Sequence, residues 1–319
     1  PKGKQLPEGT KFTSVSTNAD GKIGKVFLDS PGGLITFSFD EKGGYDTAFG
    51  SRTAMAWLHG SEKLDPADKS VVDESNAAAG TGATLKLENG AEGIAYQSNR
   101  NGVITRVIMD TIGGPVTFGF DEDGDFDGIL VASREAYVLL RGEKKADAYE
   151  KEAIRGVNAD KGKDGKDLPA GTRAINFSDN SAGQGTRVTL ETPTGVLMIG
   201  LNERGSYDRI LSANRETYVS IRGEAKAVLY EKWWVAEHNK QSLTPVPVGT
   251  TGTFFAEERG GAIFAIVMEA VIDEKTETFT AKFKDGAYDG FGDASREFAV
   301  SVYGEAAVAK QEGDWIFRY

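Results

Sequence analysis

The stretch Gly33-Leu34-Ile35-Thr36-Phe37-Ser38-Phe39-Asp40-Glu41-Lys42-Gly43-Gly44-Tyr45-Asp46 decides the fold. Ile35, Phe37 and Phe39 take every second place. Successive side chains of a strand point to opposite faces, so one face is apolar and the other carries Thr36 and Ser38. Gly43-Gly44 supplies the positive φ of a hairpin turn. Tyr45-Asp46 then returns as Phe126-Asp127, Tyr207-Asp208 and Tyr288-Asp289, each 81 residues on, in a chain of 319. A fixed period of this kind means one unit written several times.

Other positions keep the same beat. Leu6, Leu87, Leu168 and Val246 open the units, followed by Gly9, Gly90, Gly171 and Gly249. Val26, Val107, Val188 and Ile266 come next, then the acids Asp29, Asp110, Glu191 and Glu269. Arg52, Arg134, Arg215 and Arg296 follow the Tyr/Phe-Asp pair, and each stands eight residues before a glycine, Gly60, Gly142, Gly223 or Gly304. The period-two pattern recurs at Val116, Phe118 and Phe120, at Leu197, Ile199 and Leu201, and at Phe279, Ala281 and Phe283. The segment before each terminal glycine also reads as a strand: Ala56 and Leu58, Val138 and Leu140, Val219 and Ile221 alternate. Helix signals lie between units, at Asp65 to Val72, where Asp65 caps and Pro66 starts a first turn, and at Glu143 to Ile154.

The expected fold class is all-β: four tandem repeats, each a small antiparallel β-module of sandwich or barrel type. The alternative is a closed, four-bladed propeller-like ring. The domains are expected at 1–75, 76–162, 163–242 and 243–319. Ser75 to Gly82 and Lys161 to Asp167 read as flexible, hydrated joints.

The chain has a net charge of -11 and a pI near 4.9, with no cluster of Lys and Arg interleaved with aromatics. That argues against a nucleic-acid partner. It has no cysteine, hence no disulfide, thiolate nucleophile or Cys-based zinc site. No run approaches the length of a membrane-spanning helix, so no membrane partner is expected. The opening Pro1-Lys2-Gly3-Lys4-Gln5 has no apolar segment of a secretion signal, and the reading is a protein made in the cytoplasm.

The sharpest metal candidate is Asp121-Glu122-Asp123-Gly124-Asp125-Phe126-Asp127-Gly128. Asp121, Asp123, Asp125 and Asp127 offer the hard oxygen ligands that Ca²⁺ wants. The loop resembles the Asp-x-Asp-Gly-Asp loops of EF-hand and integrin-type calcium sites over these eight residues. It departs from the EF-hand, with Phe126 where Gly belongs and Ala132 where an acid belongs. The equivalent loops carry Lys42, Arg204 and Lys284, which repel a cation. A solvated hairpin tip is the preferred reading, and no cofactor is expected apart from calcium at this loop. The pairs Asp46 and Arg52, Asp127 and Arg134, Asp208 and Arg215, and Asp289 and Arg296 read as structural ion pairs pinning two strands together. The chain's histidines, His59 and His238, occupy non-equivalent places, which excludes a His-based site repeated per unit. No nucleophile elbow accompanies them.

Trp233 and Trp234, with Tyr230, form a candidate interface or sugar-stacking platform, to which Trp315 and Phe317 of the apolar carboxyl end are added. The functional expectation is a non-enzymatic structural or interaction protein, a component of a large assembly such as a virion (capsid decoration, tail or fibre). Its partners are other protein subunits, copies of itself included. The alternative is a glycan- or surface-binding adhesin assisted by calcium.

Overall fold

The structure, a computed structural model, describes residues 7–17, 23–40, 42–241, 245–247, 249–272, 275–284, 287–292, 300 and 304–306. Sixteen antiparallel strands form one sheet, and their spatial order is their chain order. The first repeat gives β1 (Lys11–Thr17), β2 (Ile23–Ser30), β3 (Gly33–Phe39) and β4 (Tyr45–Ser51), then helices α1 (Arg52–His59) and α2 (Ser61–Ala77). The second gives β5 (Ala95–Asn99), β6 (Ile104–Met109), β7 (Val116–Phe120), β8 (Phe126–Ser133), α3 (Arg134–Arg141) and α4 (Glu143–Ala159). The third gives β9 (Arg173–Asp179), β10 (Gly185–Thr192), β11 (Gly195–Leu201), β12 (Tyr207–Asn214), α5 (Arg215–Arg222) and α6 (Glu224–Gln241). The fourth gives β13 (Gly252–Glu257), β14 (Ile263–Ile272), β15 (Lys275–Lys284) and β16 (Ala287–Gly292).

The protein is thus all-β in its framework, with six helices added among the described residues. The units are not separate sandwiches or barrels. β4 pairs with β5, β8 with β9 and β12 with β13, so the last strand of each unit hydrogen-bonds to the first strand of the next. The same pairings rule out the propeller, in which each blade is its own sheet, and the sheet remains open between β1 and β16.

Register carries the repeat into three dimensions. Val26, Val107, Val188 and Ile266 stand opposite Phe37, Phe118, Ile199 and Ala281 on one side. On the other side they stand opposite Val15, Tyr96, Phe177 and Phe255. The alternate residues that include Ala48, Val107, Phe118, Val188, Ile199 and Ile266 are buried in one core with Met55, Leu64, Val71, Tyr137, Tyr218 and Trp234 of the helices. The helices therefore cover one face of the sheet, and the opposite face is open.

The segments before Gly60, Gly142 and Gly223 are helices rather than strands. Ser51 and Ser133 accept the N–H of Ala54 and Ala136 and so cap α1 and α3. The glycines close the helices at φ 89°, 90° and 88°, conformations that favour glycine. Ala54, Met55 and Leu58 are all buried, which is one face of a helical turn. The two expected helices are present and longer than predicted, as α2 and α4.

The joint read as flexible at 161–167 is a docked strap, and the one at 75–82 is the end of α2 and the start of a second docked strap. The Leu139 carbonyl accepts the N–H groups of Thr84 and Leu85 at 3.0 and 2.9 Å. Ile221 and Ser220 carbonyls accept Gly162 and Lys166 N–H at 3.0 and 2.7 Å. Helix C-termini leave carbonyls without intrahelical partners. Here the strap that leaves one repeat satisfies those of the next repeat's short helix. Each strap is also held at its far end by an asparagine of the long helix. Asn76 exchanges two hydrogen bonds with the backbone of Leu87, and Asn239 does the same with Val246. Asn158 accepts from Leu168 N–H. The boundary placed after residue 75 falls inside α2.

Candidate functional site

Three of the four arginines found by their spacing, Arg52, Arg134 and Arg215, open the short helices, and their partners are not the expected aspartates. Arg52 reaches Asp65, Asp68 and Glu92. Arg134 reaches Asp147 and Glu150, at 2.6 and 3.4 Å. Arg215 reaches Glu224 and Glu231, at 2.7 and 2.8 Å. Apart from Glu92, which lies in the strap before β5, the acids lie on the following long helix, so each cluster clamps a helix pair. Asp46 and Asp127 are exposed at the starts of β4 and β8 instead. Asp208 pairs with Arg209 and Arg259. The side chain of Asp289 and all of Arg296 lie outside the described residues.

Two of these clamps extend into the next repeat. The buried Asp68 carboxylate accepts Gly93 N–H at 3.0 Å and the Tyr96 hydroxyl at 2.7 Å. Glu231 accepts Gly252 N–H at 2.9 Å. Burial, and then the Asp68 charge, push the Tyr96 hydroxyl well above its ordinary pKa. It is therefore a neutral donor.

A second set of polar residues, missed from sequence, joins the repeats. His59, Arg141 and Arg222 each end a short helix just before its glycine. They meet Ser98, Asp179 and Glu257, at equivalent places near the ends of β5, β9 and β13. Arg141 donates to Asp179 at 2.6 Å with both side chains fully buried. Asp179 also accepts Ile129 N–H at 2.9 Å, and Arg141 donates to the Ser75 carbonyl at 2.8 Å. Arg222 grips both oxygens of Glu257, at 2.8 and 2.5 Å, and Tyr218 donates to the same carboxylate at 2.9 Å. Burial works against the Arg222 charge, and Glu257 outweighs it, so its pKa is raised. Tyr137 stacks on Phe177 and Tyr218 on Phe255, with ring centroids 4.7 and 4.6 Å apart. The signal in the sequence was an acid ending an otherwise alternating strand, as in Phe177-Ser178-Asp179.

The tryptophan platform is internal at Trp234 and half-buried at Trp233 and Tyr230. Trp234 lies on α6, is fully buried, and packs on His238 and Phe279. Trp233 and Tyr230 pack on Phe283 and are only partly buried. Because Phe279 and Phe283 belong to β15, these aromatics join the third repeat to the fourth, and the buried Trp234 is not available to stack on a sugar. Trp315 and Phe317 lie outside the described residues.

In the acidic loop, one Asp121 oxygen accepts the N–H groups of Asp123 and Asp125, both at 2.9 Å. Asp40 does the same for Lys42 and Gly44, and Asn202 for Arg204 and Ser206. The first residue of the loop is thus a turn-former in three repeats, whether or not it is charged. Among the described residues no group of three or more His, Asp or Glu side chains is placed to hold a metal ion.

What the described residues leave uncovered is the open face. Leu34, Phe49, Val131, Val196 and Phe254 are exposed there, each next to a residue buried on the helix side. Asp29, Asp110, Glu191 and Glu269 are all exposed at one margin of the same face. Arg173 pairs with Glu191 at 2.8 Å. A polar depression of about 420 Å³ lies on this face where β4 meets β5, lined by Asp46, Thr47, Gln97, Asn99 and Arg106 among others. At the next junction the equivalent Arg187 crosses to the Leu130 carbonyl at 3.0 Å and the Ser178 hydroxyl at 3.1 Å.

Among the described residues no helix is long and apolar enough to cross a membrane. No family model matches the chain, and a search of curated proteins finds no match to it.

Proposed function

We propose that the protein is a non-enzymatic structural or interaction protein that works as one component of a larger assembly. The observation that carries this reading is the open sheet face. It runs unbroken across all four repeats and displays Leu34, Phe49, Val131, Val196 and Phe254 beside the acidic row. Exposed apolar groups in company mark contact surfaces. The polar residues retained in the repeats point the same way. The arginines and their acids clamp helices, and the junction pairs join repeats, so the chemistry kept through duplication serves the fold. A surface repeated along a rigid sheet suits a partner that also repeats, as in a virion, and weak contacts then add as avidity.

The test is the native context. The chain is expected to sediment in a particle of fixed composition and to leave it when Phe49 and Val131 are both changed to Glu. A free, monodisperse chain with turnover on any substrate overturns the reading. The glycan-binding alternative loses Trp234 and moves to the depression around Gln97, Asn99 and Arg106. A glycan array that responds to the wild type and not to Arg106→Ala would favour it.

A further inference from the structure

The sheet has an end that resembles the inside of the molecule. Tyr96, Phe177 and Phe255 are the residues of β5, β9 and β13 that face the helices, and they are 0, 1 and 1% exposed. The helices of the preceding repeat cover them, through Arg52 over Tyr96 and the Tyr137 and Tyr218 stacks. The equivalent residue of β1 is Val15, and it is 44% exposed. Phe12 stands where Gly252 is buried in β13, and it is 65% exposed. β1 is hydrogen-bonded to β2 and to no other described strand.

β1 has not been shaped as a protected edge. Edge strands are usually blunted by charges, proline or bulges that twist them away. The irregularities of β1 are those of an internal first strand. Its register shifts lie between Phe12 and Ser14 and between Ser16 and Thr17. In β13 they lie at the equivalent places, between Gly252 and Phe254 and between Ala256 and Glu257. β9 skips a residue at the first of these places as well, pairing Ala174 and Asn176 but not Ile175. The sole charge in β1 is Lys11.

The other end of the sheet is β16, which holds the place of β4, β8 and β12 in the fourth repeat. β16 is hydrogen-bonded to β15 and to no other described strand. Gly304 has φ 83° and donates its N–H to the Val300 carbonyl at 2.8 Å. Gly60, Gly142 and Gly223 close their short helices in the same way, donating to Ala56, Val138 and Val219. In the sequence, Tyr303 holds the place of Arg141 and Arg222, and Thr17 holds that of Asp179 and Glu257. Joining the two ends therefore brings no lone charge into the position that is buried at the internal junctions, where an unpaired charge would be costly.

We propose that β1 docks the fourth repeat of a second copy of this chain, so that copies join head to tail and the sheet continues across the joint. The occupant is a second copy because this contact is made three times within the molecule, and among the described residues no strand pairs with the outer edge of β1 or of β16. Such a heterologous contact builds a ring or a filament. The net charge of -11 opposes it at low ionic strength, so salt favours the joint. The inference names the partner for the assembly reading and rests on it.

The full chain is to be followed by sedimentation velocity over a concentration series at low and high salt, beside Val15→Lys. The expected result is a mass that climbs in whole-chain steps with concentration, more at high salt, while Val15→Lys remains a single chain with an unchanged melting temperature. A wild type that remains a single chain throughout, or a Val15→Lys that associates equally well, overturns the joint. Cross-linking in the native particle separates the two readings. A chain held in a particle without touching another copy sinks the head-to-tail joint and leaves the assembly reading standing.

Discussion

Arg141 and Asp179 bury two opposite charges completely at the seam between two repeats. Removing one partner of such a pair leaves the other charge without compensation, so Arg141→Met is expected to destabilise the protein by about 3–5 kcal/mol. Adding Asp179→Asn removes the stranded charge and keeps an acceptor for Ile129 N–H. The double variant should therefore recover a clear part of the loss, read as the urea midpoint. His238 offers a pH test. Burial against Trp234 holds its imidazole down at about 4, from an ordinary 6.5. As pH falls below about 6.5 the unfolded chain takes up the proton first. Stability present at neutral pH is then lost progressively towards pH 4, on the order of 3 kcal/mol in all. His238→Phe should flatten this acid slope in a melting-temperature series, and an unchanged slope would refute the assignment. At this scale the sequence was half legible. The arginines were visible by their spacing, and their nearest aspartates were chosen as partners. The true partners Asp68, Glu150 and Glu231 also recur with the repeat, but they belong to helices that bring distant residues back over the first turn of their neighbour.

The short helices show why an element can be misread when its position is right. Over eight residues, Ala54, Met55, Ala56 and Leu58 satisfy both a period of two and a helical stripe, and a short apolar run does not separate them. The deciding signals were Ser51 and Ser133 as caps and the closing glycines. The straps were misread for a different reason. Glycine and lysine are typical of mobile linkers, yet Gly162 and Gly165 are required because the strap lies directly on the last turn of α5. A Cβ on Gly165 would run into the Ile221 carbonyl oxygen, and one on Gly162 into that of Arg222. Gly165→Ala should lift the strap, speed amide exchange at Gly162 and Lys166, and destabilise by about 1–3 kcal/mol, the usual cost of overpacking. Unchanged exchange at both amides would mean that the strap is not held by this contact.

For the whole molecule, the period disclosed the strand-rich class. It did not disclose that the units share a sheet, because β4 and β5 are separated by two helices and a strap, and their pairing has no local signature. A linear array in which each unit touches only its neighbours unfolds as coupled units rather than all at once. The end bearing β1, with Val15 and Phe12 exposed, lacks one of the two covers enjoyed by the second and third repeats. Hydrogen exchange on the isolated chain should be slowest in β6, β7, β10 and β11 and fastest in β1, and a uniform exchange free energy would contradict this. The strand order has one more consequence. Since every strand pairs with the strand made just before it, the growing polypeptide never waits for a distant partner to leave the ribosome. Each hairpin that emerges can zip onto a template that is already complete, and the single unfinished border advances with translation.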